Sequence, residues 1–183
     1  METKFSDELT QVISWSRDEA QRTGWHNISI DHLMLAALRK PDGKARMLLE
    51  SLGLDTDELK ETIDSLLMKE EAIPYGSADG IRLSDKALGC LNLSLFEAAR
   101  AGMAAVDTRA LLVAIARTPG CITGKFLNSK GVDTLRIFTE MKCNAEARVE
   151  EDYSQFTERM SGILASELGR VMSMMEGSGG FRS

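Results

Sequence analysis

Gly53-Leu54-Asp55-Thr56 returns, 78 positions later, as Gly131-Val132-Asp133-Thr134. The same offset runs outward without a gap. Ser6-Asp7 falls on Ser84-Asp85, Glu19-Ala20 on Glu97-Ala98, Gly24 on Gly102, Leu33 on Leu111, Arg39 on Arg117 and Pro41 on Pro119. Most other aligned positions exchange within the apolar or the polar class. One constant offset over so long a span means two copies of one supersecondary unit.

Each copy reads as four helices. Ser6 is an N-cap, with Asp7 and Glu8 in the first turn, where the helix dipole favours negative charge. Leu9, Val12, Ile13, Ser16 and Ala20 then follow at the spacing of one helical face, and Gly24 ends the helix. Ser29 opens a second helix bearing Ile30, Leu33, Met34, Ala37 and Leu38, stopped by Pro41 and Gly43. A short third helix carries Ala45, Leu48, Leu49 and Leu52. Asp55-Thr56-Asp57-Glu58 caps a fourth with Leu59, Ile63, Leu66 and Leu67 inward. In the second copy Ser84, Asp107 and Asp133 take the capping roles. Phe5 and Leu83 precede the serine caps and read as hydrophobic staples.

The predicted fold is therefore all-α. Two tandem four-helix repeats, 4–68 and 82–142, pack as a pseudo-twofold globule with one shared core and no β-sheet. The linker 69–81 is a loop, too apolar at Ile73 and Tyr75 to be a free tether. Residues 143–176 read as a charged linker and an amphipathic helix, and 177–183 as a disordered tail.

The net charge of -6 and pI near 5.1, with no Lys/Arg block, argue against nucleic acid and anionic lipid as partners. Aromatic residues make up 5% of the chain, so aliphatic and Met side chains must build the core. Cys90, Cys121 and Cys143 form neither a CxxC pair nor an even framework, which suits a reducing compartment. With no apolar leader after Met1 and no long apolar run, the expected location is cytoplasmic.

The run Gly24-Trp25-His26-Asn27-Ile28-Ser29-Ile30-Asp31-His32-Leu33-Met34-Leu35 resembles the amino-terminal repeat of Clp unfoldases. That family's pattern is Gly, a few polar residues, then Ile-Gly-Thr-Glu-His-Leu-Leu-Leu. Phe5-Ser6-Asp7 and Leu49-Glu50-Ser51-Leu52-Gly53-Leu54-Asp55 fit the same family, and the likeness covers about residues 4–142. The resemblance implies a non-catalytic protein-binding module that recruits or docks substrates or adaptors for a Clp-type ATP-dependent unfoldase or protease. The alternative is an interaction module of the same fold acting outside proteolysis. No G-x-x-x-x-G-K-[ST] occurs, so neither ATPase activity nor a cofactor is expected, and the chain reads as a stand-alone family member. Some members of the family bind phosphorylated arginine through the Glu of each repeat. The matching positions here are Asp31 and Arg109, one acid shortened and the other reversed in sign, so that activity is not expected to carry over.

The candidate partner-binding residues are Trp25, His26 and Asp31 in the first copy and Met103, Thr108 and Arg109 in the second. Trp25 and Met103 are equivalent, and either line a groove or pack between repeats. His26 and His32 are the sole histidines; a packed histidine satisfied by backbone is the reading for His32, and no metal-ligand cluster surrounds either. In the tail, Phe156, Met160, Leu164, Leu168, Val171 and Met175 recur at spacings of three and four. A lone helix of this kind needs a surface to bury its stripe. Its own domain, a partner's groove or a homodimer through this helix would each supply one.

Overall fold

Helix α1, Asp7–Thr23, forms where the sequence places its signals: the Ser6 side chain accepts from Leu9 N, and Gly24 closes the helix in the left-handed region at φ 83°. A side chain at Gly24 would also run into the Glu71 carbonyl, so glycine is required there twice over. In the computed structural model, described over residues 4–143 and at positions 158, 161, 162, 165, 166, 168–171 and 173, this start-and-stop logic repeats along the chain. The elements are β1 (Lys4–Phe5), α1, β2 (Asn27–Ile28), α2 (Ile30–Leu38), α3 (Lys44–Ser51) and α4 (Thr56–Leu67) in the first copy. The second copy has β3 (Arg82–Leu83), α5 (Asp85–Arg100), β4 (Ala105–Val106), α6 (Thr108–Arg117), α7 (Ile122–Ser129) and a helix α8 described over 134–143. Each element of one copy has its counterpart in the other. The fold is all-α in character, with tandem repeats packed about a pseudo-twofold.

The two central helices carry the core. Every residue of α2 is buried, and α6 is buried from Ala110 through Ile115. Helices apolar all round belong in the interior. Leu33 and Leu111, equivalent by the offset, are 0% and 1% exposed. α3 packs on α6 of the other copy, and α2 and α4 on α7, so the core is shared between the copies.

Two expectations are corrected. The sequence predicts no β-sheet, yet β1 pairs in parallel with β4 and β2 with β3. Each copy's lead-in strand thus pairs with the other copy's inter-helix strand. The flanking bonds match as well: Ser6 N donates to Val106 O at 2.8 Å and Ser84 N to Ile28 O at 3.0 Å. The physical reason is that backbone groups before each N-cap lie where the copies meet, and each finds its partner on the other copy. Phe5 and Leu83 are strand residues, and Phe5 is 37% exposed. In the linker Ile73 is buried, its backbone N donating to Gln21 O at 3.0 Å, while Tyr75 begins a 3-10 turn and is 92% exposed.

The chain divides into two units, Met1–Lys142 and Cys143–Ser183. In the second, all eleven described positions are helical and exposed, Leu168 and Val171 among them. Phe156, Met160, Leu164 and Met175, the charged linker past 143 and the 177–183 tail lie outside the described residues.

Leu33→Ala and Leu111→Ala should each lower the unfolding free energy by about 2–5 kcal/mol. Urea denaturation checks this, and a neutral result at either position would break the equivalence of the copies.

Candidate partner-binding surface where the two repeats meet

Helices α3 and α7 are the short third helices of the two copies, and each begins at the junction with the other copy. A helix start presents backbone N–H groups without intrahelical acceptors. Gly43, the N-cap of α3, has no side chain to offer. Glu8 Oε1 accepts from Lys44 N at 2.9 Å instead. Thr108 Oγ1, from the second copy, accepts from Ala45 N at 3.0 Å and donates to Glu8 at 3.0 Å. At the start of α7 the first copy returns the contact. Asp31 accepts from Ile122 N at 3.0 Å, Thr123 N at 2.9 Å and Thr123 Oγ1 at 2.8 Å. Cys121 Sγ completes that cap through Gly124 N at 3.3 Å. Both helix starts, natural seats for an anion, are filled by this chain's own side chains.

The candidate residues therefore divide. Asp31 and Thr108 are buried, at 6% and 0% exposure, and are engaged in capping, which takes them off the free surface. Arg109 lies on Asp107, its Nη2 2.6 Å and its Nε 3.0 Å from Oδ2, and Lys44 Nζ reaches the same carboxylate at 3.3 Å. Trp25 is half-buried within its own copy: its Nε1 donates to Leu67 O at 2.7 Å and the Lys69 ammonium sits 3.9 Å over its ring. Met103 packs half-buried against the core, and His26 is exposed. Beside the capped start of α7, a small cleft of about 130 Å³ opens between Ser29–Asp31, Ser84 and Lys86, and the turn Pro119–Cys121.

His32 is fully buried. Its Nδ1 accepts from Ser29 N at 2.9 Å, which leaves the proton on Nε2, 2.9 Å from Thr23 Oγ1. Thr23 Oγ1 in turn donates to Glu19 O at 2.7 Å. Burial drives the His32 pKa down to about 4, with the neighbouring Asp31 opposing. The imidazole is a neutral packing element. Burial likewise pushes the Cys90 thiol up to about 12 and raises that of Cys121, so both stay protonated and neither is an activated nucleophile. Among the described residues no three His, Cys, Asp or Glu side chains are grouped to hold a metal ion. No helix among them is long and apolar enough to cross a membrane; α6 and α7 together reach that composition but are bent by 83° and buried in large part.

The family model for the Clp repeat N-terminal domain matches residues 4–130. The chain belongs to the Clp N-terminal domain family. It is 28% identical over 129 residues to the chaperone protein ClpB of Oceanobacillus iheyensis, covering 70% of this chain and 16% of that protein. It is 26% identical over 129 residues to the negative regulator of genetic competence ClpC/MecB of Bacillus subtilis, covering 70% and 15%. This Clp N-domain chain thus spans 15–16% of the length of these curated relatives. In fold it is similar to the N-domain of ClpV from Vibrio cholerae, with a TM-score of 0.63 at 14% identity, over 75% of this chain and 82% of that one.

In sequence Glu8 reads as a first-turn acid of α1, yet its carboxylate caps the start of α3. Glu19 and Glu97, matched in sequence by the offset, are both buried, which the repeat alone does not indicate. The signal was a carboxylate standing in both copies on the inward face of Val12, Ser16, Ala20 and of Cys90, Ser94, Ala98.

The His32 imidazole takes up a proton in the unfolded chain at about pH 6.5 but in the folded chain at about 4. Stability from this group is full above pH 6.5 and falls with a one-proton slope as pH drops toward 4. His32→Gln should lack that part of the slope in pH-dependent denaturation; identical slopes in the two proteins would refute the assignment.

Proposed function

We propose that the chain is a non-catalytic protein-binding module that recruits or docks substrates or adaptors for a Clp-type ATP-dependent unfoldase or protease. The family carries this reading. The capped junction supports it: the polar groups there are spent on joining the copies, which leaves surface grooves for protein contact. Arg109, standing where the family has a second acid and lying on Asp107, favours a partner other than a phosphoguanidinium. The partner is a protein or peptide, since a net charge of -6 disfavours nucleic acid and anionic membranes. The proposed setting is the cytoplasm.

Purified chain, titrated with the Clp-type unfoldase of its source organism and with a permanently unfolded model protein, should bind at least one with micromolar affinity. Binding to neither at a hundredfold higher concentration would sink the reading. Mg-ATP should give no binding heat in the same calorimeter.

A second proposal concerns the tail, where Leu168 and Val171 are 56% and 47% exposed on a helix. Such a stripe is covered when two copies pair through it. Light scattering of the full chain should give a dimer mass, and L168D/V171D a monomer mass; a monomeric parent chain would refute the pairing.

A further inference from the structure

Glu19 and Glu97 occupy equivalent positions, and each is held between two arginines. Glu19 takes Arg22 Nη2 at 2.6 Å and Arg39 Nε at 2.5 Å. Glu97 stands at ion-pair distance from Arg100 Nη2, 2.9 Å, and Arg117 Nε, 3.0 Å, but neither of its buried carboxylate oxygens is hydrogen-bonded. Outside this inner clamp the two copies part. In the first, a second carboxylate meets each guanidinium: Asp64 lies 2.5 Å from Arg22 and Asp18 3.4 Å from Arg39. Asp64 also holds Lys60 at 3.0 Å, and Asp57 holds Arg46 at 3.2 Å. In the second copy the positions equivalent to Asp18, Asp64, Lys60 and Asp57 are Phe96, Lys142, Phe138 and Leu135. Among the described residues, no second carboxylate reaches Arg100 or Arg117.

An open groove of about 480 Å³ lies there, lined by Arg100, Ala116, Arg117, Thr134, Leu135 and Phe138. The Arg100 guanidinium sits 4.0 Å over the Phe138 ring. Leu135 is 71% exposed, and Phe96, one turn before Arg100, is 58% exposed. Two cations thus face one buried carboxylate, with exposed Lys142 one turn beyond Phe138 on α8. A guanidinium offers five N–H donors in a planar fork suited to carboxylates. Large apolar side chains grouped beside such donors mark a surface that a partner covers.

We infer that this groove of the second copy receives an acidic, apolar peptide segment of a partner protein. A side-chain carboxylate of the segment takes the outer faces of Arg100 and Arg117, as Asp64 and Asp18 do for Arg22 and Arg39. A neighbouring leucine or phenylalanine of the segment covers Leu135 and Phe96. The first copy is the template for the bound state of the second. This inference deepens the protein-binding reading and rests on it.

The test uses the full chain and labelled, end-capped peptides alternating aspartate with leucine, beside counterparts in which asparagine replaces aspartate. Fluorescence anisotropy should show the acidic peptide binding at least tenfold tighter, with affinity falling as salt rises. The variant F96D/K142D restores the two missing carboxylates at exposed positions. It should match or exceed the parent in melting temperature and bind the acidic peptide at least tenfold more weakly. Equal affinity for the two peptides, unchanged affinity in F96D/K142D, or no binding of the acidic peptide would each overturn the proposal. A gain of tenfold or more on freeing the peptide's C-terminus, for the asparagine series alone, would assign the groove to a terminal carboxylate and overturn the side-chain assignment. If the parent chain still binds the unfoldase or the unfolded protein when these tests fail, the general reading stands and the groove assignment falls.

Discussion

A short helix that begins at a buried junction must find acceptors for its first amides, and this chain meets that demand across the copies. Asp31 closes the start of α7 and Thr108, with Glu8, the start of α3. Leaving a buried donor unpaired costs about 1–3 kcal/mol, and Asp31 and Thr108 each offset a cost of that size at the start of the other copy's third helix. The shared core around α2 and α6, the parallel strand pairs and the position of the surface grooves all follow from holding the copies in that register.

The same constraint explains why the residues that invite a functional reading are structural. Asp31 and His32 sit in the run that resembles the Clp repeat and Thr108 at the position equivalent to Ile30, yet each is buried with its polar atoms paired. The surfaces where the copies differ lie outside this capped junction. Likeness to the family at these positions records what the fold itself requires.

Much of the fold was legible in the residues. The constant offset gave the repeat, and Ser6, Ser29, Asp55, Ser84, Asp107 and Asp133 all cap as their positions imply. The strands were not legible, because two residues carry no periodicity and their pairing is set by another copy far along the chain. Tyr75 misled through its apolar ring, which the 3-10 turn leaves in solvent. The arginine clamps were half legible: Glu19 with Glu97 and Arg39 with Arg117 stood out as matched pairs. That they meet requires folding the first helix of each copy onto its second. The difference in their outer partners becomes meaningful only once that geometry is known.

The crossed strand pairing has a consequence for how such a chain arises. The strand pairing is reciprocal: each copy offers a lead-in strand and accepts the other's on its inter-helix strand. A half-length polypeptide of this type would hold both edges of the pairing, with no internal means of satisfying either. Two such molecules would close on each other as an isologous dimer. Joining them through residues 69–81 replaces a concentration-dependent encounter with an intramolecular one. Once the halves are covalently tied, mutation no longer strikes both sides of the axis together. One half can keep its outer carboxylates while the other loses them, which a symmetric dimer of identical chains could not do.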